Sequence, residues 1–264
     1  NGPMEVLAEK DFEVYENGNK EEIAFFSAAD TPYDLVLLLD LSGSTEGKLH
    51  LIREATNRFI EAKRPADRLA IVVFAEEIKV VSPLTDDRQK LIESVKTMGV
   101  TGNSRVWDAL RYTLEEVLGA KTEGRRKAVV FMTDGVDNTL YGDNRGSKIS
   151  FGDLFESVKK SETTIFPVYI DTEEKDAPSI IAYKRARSSL ALLADETGGQ
   201  YYKAAAIADL QGVYRQVLFD LSRVYTIGDI PSNDVRDGAW RKLQIKVPGR
   251  PELTVKTKQG YYAR

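Results

Sequence analysis

The segment Asp40-Leu41-Ser42-Gly43-Ser44 sets one carboxylate and two hydroxyls at alternate positions, in a turn that Gly43 tightens. Alternate positions can face one point. Oxygen donors of this kind suit a hard cation: Mg²⁺ takes a nearly octahedral shell of oxygens at about 2.0–2.1 Å and needs no soft ligand. A plainer use of the same residues is to cap a helix starting near Gly47, because Ser and Asp oxygens accept from the free N–H groups of a first helical turn. The segment does not stand alone, however. Thr133-Asp134-Gly135 offers a second acidic residue, and Gly102-Asn103-Ser104-Arg105-Val106 offers a further hydroxyl at Ser104, just ahead of a helical pattern.

The elements that must bring these segments together are legible as alternating runs. Residues 35–39, 128–132 and 164–170 are short, nearly continuous apolar stretches, as expected of parallel strands buried on both faces. Residues 69–74 followed by 78–80 read as a hairpin whose second strand lies at a sheet edge. Between them, Leu49, Ile52, Thr56, Phe59 and Ile60 share one helical face, as do Val106, Ala109, Leu110, Thr113, Leu114 and Val117. Further helices are expected at 86–96, 153–160, 188–197 and 206–222. This alternation implies an α/β fold: a doubly wound, mostly parallel sheet with helices on both faces, and Asp40 and Asp134 at its carboxyl edge, where such sheets bind ligands.

The two ends differ in character. Residues 11–27 read as a hairpin turning at 16–19; residues 240–262 alternate through Trp240, Leu243, Ile245 and Val247, turn at 248–251 and resume with Leu253 and Val255. Both are expected to build a small β-layer beside the main unit. The resulting division is an N-terminal hairpin extension at 1–32, a central domain at 33–225 and a C-terminal strand extension at 226–264.

Asp40-x-Ser42-x-Ser44, the Ser104 loop and Asp134, in this order, resemble the metal-ion-dependent adhesion site of von Willebrand factor A domains, over roughly residues 33–222. Aligning Trp107-Asp108-Ala109 with the family's Tyr-Asp-Ala puts Ser104 where a threonine is usual, and Gly102-Asn103 where two glycines are usual. Thr101 is a neighbouring substitute for Ser104. The resemblance implies a Rossmann-like fold, one Mg²⁺ (or Mn²⁺ or Ca²⁺) held by Asp40, Ser42, Ser44, Ser104 and Asp134, and a non-catalytic binding role in which a protein partner supplies an Asp or Glu to the metal. Two carboxylates balance a divalent ion, so the ion would still welcome one anionic group from outside. The flanks Asp11–Gly18 and Trp240–Ala263 resemble segments bracketing the A domain in acidobacterial von Willebrand A-related proteins, which implies an extracytoplasmic location.

Composition narrows the alternatives. With 37 basic and 41 acidic residues the net charge is -4, no footprint for nucleic acid or an anionic membrane. The chain has no cysteine, which removes disulfides, thiolate metal sites and cysteine nucleophiles. No run approaches the roughly 18 apolar residues that span a bilayer, and residues 1–10 do not read as a signal peptide, so an exported protein would carry its signal outside this sequence. A metal-dependent hydrolase is one rival reading, yet the single histidine, His50, falls on a helix surface, and no Gly-x-Ser-x-Gly elbow occurs. Gly43–Leu49 is one residue short of a phosphate-binding loop and ends in Leu where Ser or Thr is needed. The other rival is a cytoplasmic assembly subunit partnering an ATPase, as in chelatases. Finally, 135–152 and 171–187 read as long loops on the metal-bearing face, carrying Tyr141, Arg145, Lys148 and Phe151, and Tyr183, Lys184, Arg185 and Arg187.

Overall fold

The computed structural model describes residues 7–27, 30–45, 47–99, 102–120, 124–141, 145–171 and 177–263, the side chains of Ser44, Leu140, Tyr141 and residues 177–179 excepted. The chain opens with a hairpin of β1 (Glu13–Glu16) and β2 (Asn19–Ser27) and continues into β3 (Tyr33–Asp40), α1 (Leu49–Ala62), β4 (Arg68–Phe74), β5 (Ile78–Thr85), α2 (Arg88–Val95) and α3 (Val106–Tyr112). There follow β6 (Arg126–Thr133), α4 (Phe151–Lys160), β7 (Thr164–Ile170), α5 (Ala177–Thr197), β8 (Tyr202–Ala204) and α6 (Leu210–Leu221). The closing strands are β9 (Thr226–Ile230), β10 (Trp240–Lys246) and β11 (Gly260–Tyr262).

The central sheet has the order β5-β4-β3-β6-β7-β8, parallel except for the edge strand β5. Period-two alternation sends Leu35, Leu37 and Leu39 to one face, against Ile52 and Phe59 of α1, Leu91 of α2 and Tyr214 and Val217 of α6. Val36 and Leu38 point to the other, against Trp107 and Leu110 of α3, Leu154 of α4 and Leu190 and Leu193 of α5. Each such aliphatic side chain contributes about 1.5–3 kcal/mol by leaving water, and both faces need it, which is why β3 reads as an unbroken apolar run. The order also fixes where a ligand can sit. From β3 the chain crosses to β4 on one side, from β6 to β7 on the other, so the connections diverge at the carboxyl ends of β3 and β6 and leave a crevice there.

A second, antiparallel sheet of order β11-β10-β1-β2-β9 unites the two ends of the chain. Beside its strands the rings of Phe12, Phe26 and Tyr225 form an aromatic cluster, 5.1–5.8 Å apart. Two expectations need correction. Leu253 and Val255 form no strand; instead Leu243 N–H donates to Gln259 O at 3.0 Å and β10 pairs with β11. The intervening chain is drawn against the end of α5, where a side chain on Gly198 would meet Thr257 at 3.0 Å. Likewise, most of the expected loop 171–187 is helix: α5 begins at Ala177, eleven residues before the anticipated start at 188. Pro178 in its first turn lacks only an N–H that no helix uses there.

Candidate metal site

Asp40 is the last residue of β3 and is fully buried. Its Oδ1 accepts from the backbone N–H of Ser42 at 3.0 Å, and its Oδ2 accepts from the hydroxyls of Ser104 at 3.1 Å and Thr133 at 2.7 Å. The Ser42 hydroxyl is a further donor to it. Burial pushes the Asp40 carboxyl up to about 6, and the nearby charge of Asp134 adds to the rise, against the lowering by these hydrogen bonds. Asp134 follows the last residue of β6; its Oδ1 accepts from Val136 N–H at 3.0 Å, closing an Asx turn.

The sequence-predicted residues are thus placed as follows. Asp40, Ser42 and Ser104 are joined by hydrogen bonds, with Asp134 as their electrostatic neighbour. Ser44 lies in the 3-10 turn Gly43–Thr45, and its side chain, like the whole of Thr101, falls outside the described residues. Helix capping does not account for the hydroxyls: α1 starts at Leu49 after Lys48, which makes no side-chain cap. His50 is exposed on α1.

Three contributors escaped sequence reasoning. Thr133 carries no charge to mark it in the sequence, yet its hydroxyl donates to Asp40 and accepts from Gly135 N–H at 2.8 Å. Asn138 clamps the Ser104 loop: Oδ1 accepts from Ser104 N–H at 2.6 Å, Nδ2 donates to Asn103 Oδ1 at 3.1 Å, and the Asn138 N–H donates to Ser104 O at 3.1 Å. That bond explains why asparagine at 103 is accommodated. Asp137, fully buried, accepts from Val106 N–H at 2.8 Å and from Thr139 N–H and Ser147 N–H at 3.0 Å each, tying the start of α3 to the loop after β6. Gly102 at φ +118° completes the loop, since an added Cβ would sit 3.0 Å from Glu76 Oε2.

Chemically, a buried carboxylate beside a second carboxylate, bonded to hydroxyls and an amide, is a donor set for a hard divalent cation. Among the described residues no group of three or more acidic, histidine or cysteine side chains gathers; the polar side chains bonded to Asp40 are the hydroxyls of Ser42, Ser104 and Thr133.

The family model for the von Willebrand factor type A domain matches residues 34–216. The chain belongs to that family. Solved von Willebrand factor A structures share its fold. The vWF domain of the type V pili tip protein Mfa5 from Porphyromonas gingivalis has a TM-score of 0.56 at 14% identity, covering 77% of this chain and 99% of that one. A von Willebrand factor type A protein from Catenulispora acidiphila gives 0.58 at 20% identity, covering 80% and 49%. Proximal thread matrix protein 1 from the mussel byssus, with a zinc-occupied MIDAS motif, gives 0.54 at 15% identity, covering 73% and 48%. By sequence, an uncharacterized protein of Borreliella burgdorferi is 27% identical over 116 residues, 40% of this chain and 33% of that protein. The von Willebrand factor A match holds the site segments and stops short of β9, β10 and β11, so the antiparallel sheet is an addition to it.

Proposed function

We propose that this von Willebrand factor A domain is a non-catalytic, divalent-metal-dependent adhesion module. Asp40, Ser42, Ser44, Ser104 and Asp134 would hold one Mg²⁺, Mn²⁺ or Ca²⁺, and the bound ion supplies a positive charge that attracts an Asp or Glu of a protein partner. The observation that carries this reading is the pairing of buried Asp40 with Asp134, two like charges whose repulsion a divalent cation would relieve. In this reading residues 33–225 are the binding domain, and residues 1–32 and 226–264 brace it. An extracytoplasmic setting is supported by neighbours of the same fold that are pilus and thread proteins. Among the described residues no helix is long and apolar enough to cross a membrane, so any such setting would be reached by this part without a helical span of its own.

The test is a calorimetric titration with each ion, followed by affinity capture from cell-envelope material in Mg²⁺ and again in chelator. One site per chain and partners lost on chelation are expected. Absence of ion uptake would remove the reading, and capture indifferent to chelation would remove its metal-dependent half.

A further inference from the structure

The length of α5 and its register on the sheet point past the metal site. Thr197 Oγ1 accepts from Ile165 N–H at 3.0 Å, and Arg187 Nη1 donates to the Tyr169 hydroxyl at 3.4 Å. Helix and strand therefore run side by side from Ile165 to Tyr169. Tyr169 pairs with Thr133, the residue before Asp134. The part of α5 ahead of Arg187 accordingly runs on past the carboxyl edge of the sheet, its first residue about 15 Å further along at 1.5 Å per residue. This projection is not detached. Ala182, Tyr183 and Ala186 are buried against Val136, and an added Cβ on Gly135 would meet Leu190 Cδ1 at 2.9 Å and Ala186 Cβ at 3.1 Å. One face of the ridge is thus packed on the chain that leaves Asp134.

The other face is open. Ile180 and Ile181 are 50% and 57% exposed, and one turn later Lys184 and Arg185 are exposed as well. Two neighbouring aliphatic side chains on a helix surface are costly in water, and among the described residues they leave half or more of their surface uncovered. We infer that the N-terminal half of α5 is the partner-reading ridge, with Ile180 and Ile181 receiving an aliphatic side chain of a protein segment whose acidic residue reaches the metal. The inference rests on the metal-dependent reading above. Charge complementarity selects the occupant: the basic pair Lys184 and Arg185 beside the aliphatic pair favours an acidic segment over a neutral one.

The test pans a phage-displayed library of random linear peptides against the protein in Mg²⁺ and in chelator. Wild type should recover Mg²⁺-dependent peptides that place Asp or Glu near an aliphatic residue. The double variant Ile180→Ser/Ile181→Ser, altered at two exposed positions, should bind Mg²⁺ as before, lose the aliphatic preference and hold the selected peptides about tenfold or more weakly, the effect of removing an interface anchor. Lys184→Glu/Arg185→Glu should weaken the same peptides and abolish the salt dependence of their association. Equal peptide affinity in wild type and the isoleucine variant overturns the ridge while leaving the metal reading intact, as does recovery of no Mg²⁺-dependent peptide by a protein that binds Mg²⁺. A wild-type dimer that the isoleucine variant dissolves would overturn it too, by assigning the ridge to a second copy. Failure of Mg²⁺ uptake sinks both readings and is recognised by the titration alone.

Discussion

At the amino end of β3, Asp34 is 1% exposed and accepts from Arg125 Nε at 2.7 Å and from Arg68 Nε and Nη2 at 2.8 and 2.7 Å. At the carboxyl end of the same strand, Asp40 is as deeply buried but meets hydroxyls and an amide, with the charge of Asp134 close by. Taking a carboxylate out of water costs several kcal/mol at either end. Asp34 has that cost offset inside the chain by two guanidiniums. Asp40 is offset only in part, by dipoles, and in the proposed reading a bound cation would supply the balance. Burial of an acidic residue therefore says little by itself; the sign of the charges around it separates a structural carboxylate from a candidate ligand.

The largest effects should come from breaking each end in turn. Asp34→Ala leaves Arg68 and Arg125 facing each other across an emptied site and should cost about 3 kcal/mol of stability, the lower part of the range for removing one partner of a buried ion pair, since both arginines keep some solvent contact. Mg²⁺ affinity should be unchanged. Asp40→Asn, nearly isosteric, should do the reverse: Mg²⁺ affinity falls about 100-fold or more, exceeding the loss typical of residues behind the ligands, while the metal-free melting temperature holds or rises. Thermal melts with and without Mg²⁺ on both variants would check this. Equal destabilisation by the two substitutions would erase the distinction drawn between the ends.

The pH dependence follows from the raised carboxyl of Asp40. Its folded value of about 6 exceeds the ordinary 3.8, so between those values the folded chain binds the proton more tightly than the unfolded one. Stability from this group is complete below the ordinary value and is lost in the metal-free protein as pH rises through the raised folded value. A proton on Asp40 also opposes a cation. Mg²⁺ affinity should then fall by up to about tenfold per pH unit below 6, and Mg²⁺ should restore at pH 7 what deprotonation removed. Asp40→Asn serves as control: it should flatten the acid limb of the metal-free stability curve, and persistence of that limb would assign it to other groups.

The fold was legible because its signals are redundant. Residues 35–39 and 128–132 are apolar on both faces, are followed within two residues by an aspartate and are separated by helical periods, all pointing to one sheet edge. The start of α5 was not legible, because Tyr183 and Ala186 face a loop rather than the sheet, so residues 177–187 lack the single apolar stripe of a helix lying flat on a core. Of the candidate site, the sequence marked the residues that carry charge, Asp40 and Asp134, and those whose spacing aims a hydroxyl, Ser42 and Ser104, and these lie together in the structure. Thr133 and Asn138 act through neutral hydrogen bonds across more than thirty residues of chain, and nothing in local spacing marks such a bond.

Asn138 supplies the smallest and most specific test, because it separates the ligands from what holds them. Its side chain bonds Ser104 N–H and Asn103 Oδ1, while its own N–H donates to Ser104 O, so Asn138→Ala removes the side-chain clamp and keeps the backbone one. The hydroxyl of Ser104 would then be delivered by a loop held at fewer points, still anchored through the Asp137 bond to Val106 N–H. We expect about a tenfold loss of Mg²⁺ affinity, in the range for residues that orient metal ligands, with only about 1 kcal/mol of stability lost. Asn138→Asp retains an acceptor for Ser104 N–H but cannot donate to Asn103, so it should recover part of the affinity. Calorimetry on the pair decides: if both variants bind Mg²⁺ like wild type, the loop is held by Asp137 and the backbone alone, and the clamp is a structural bond like those of Asp34 rather than part of the site.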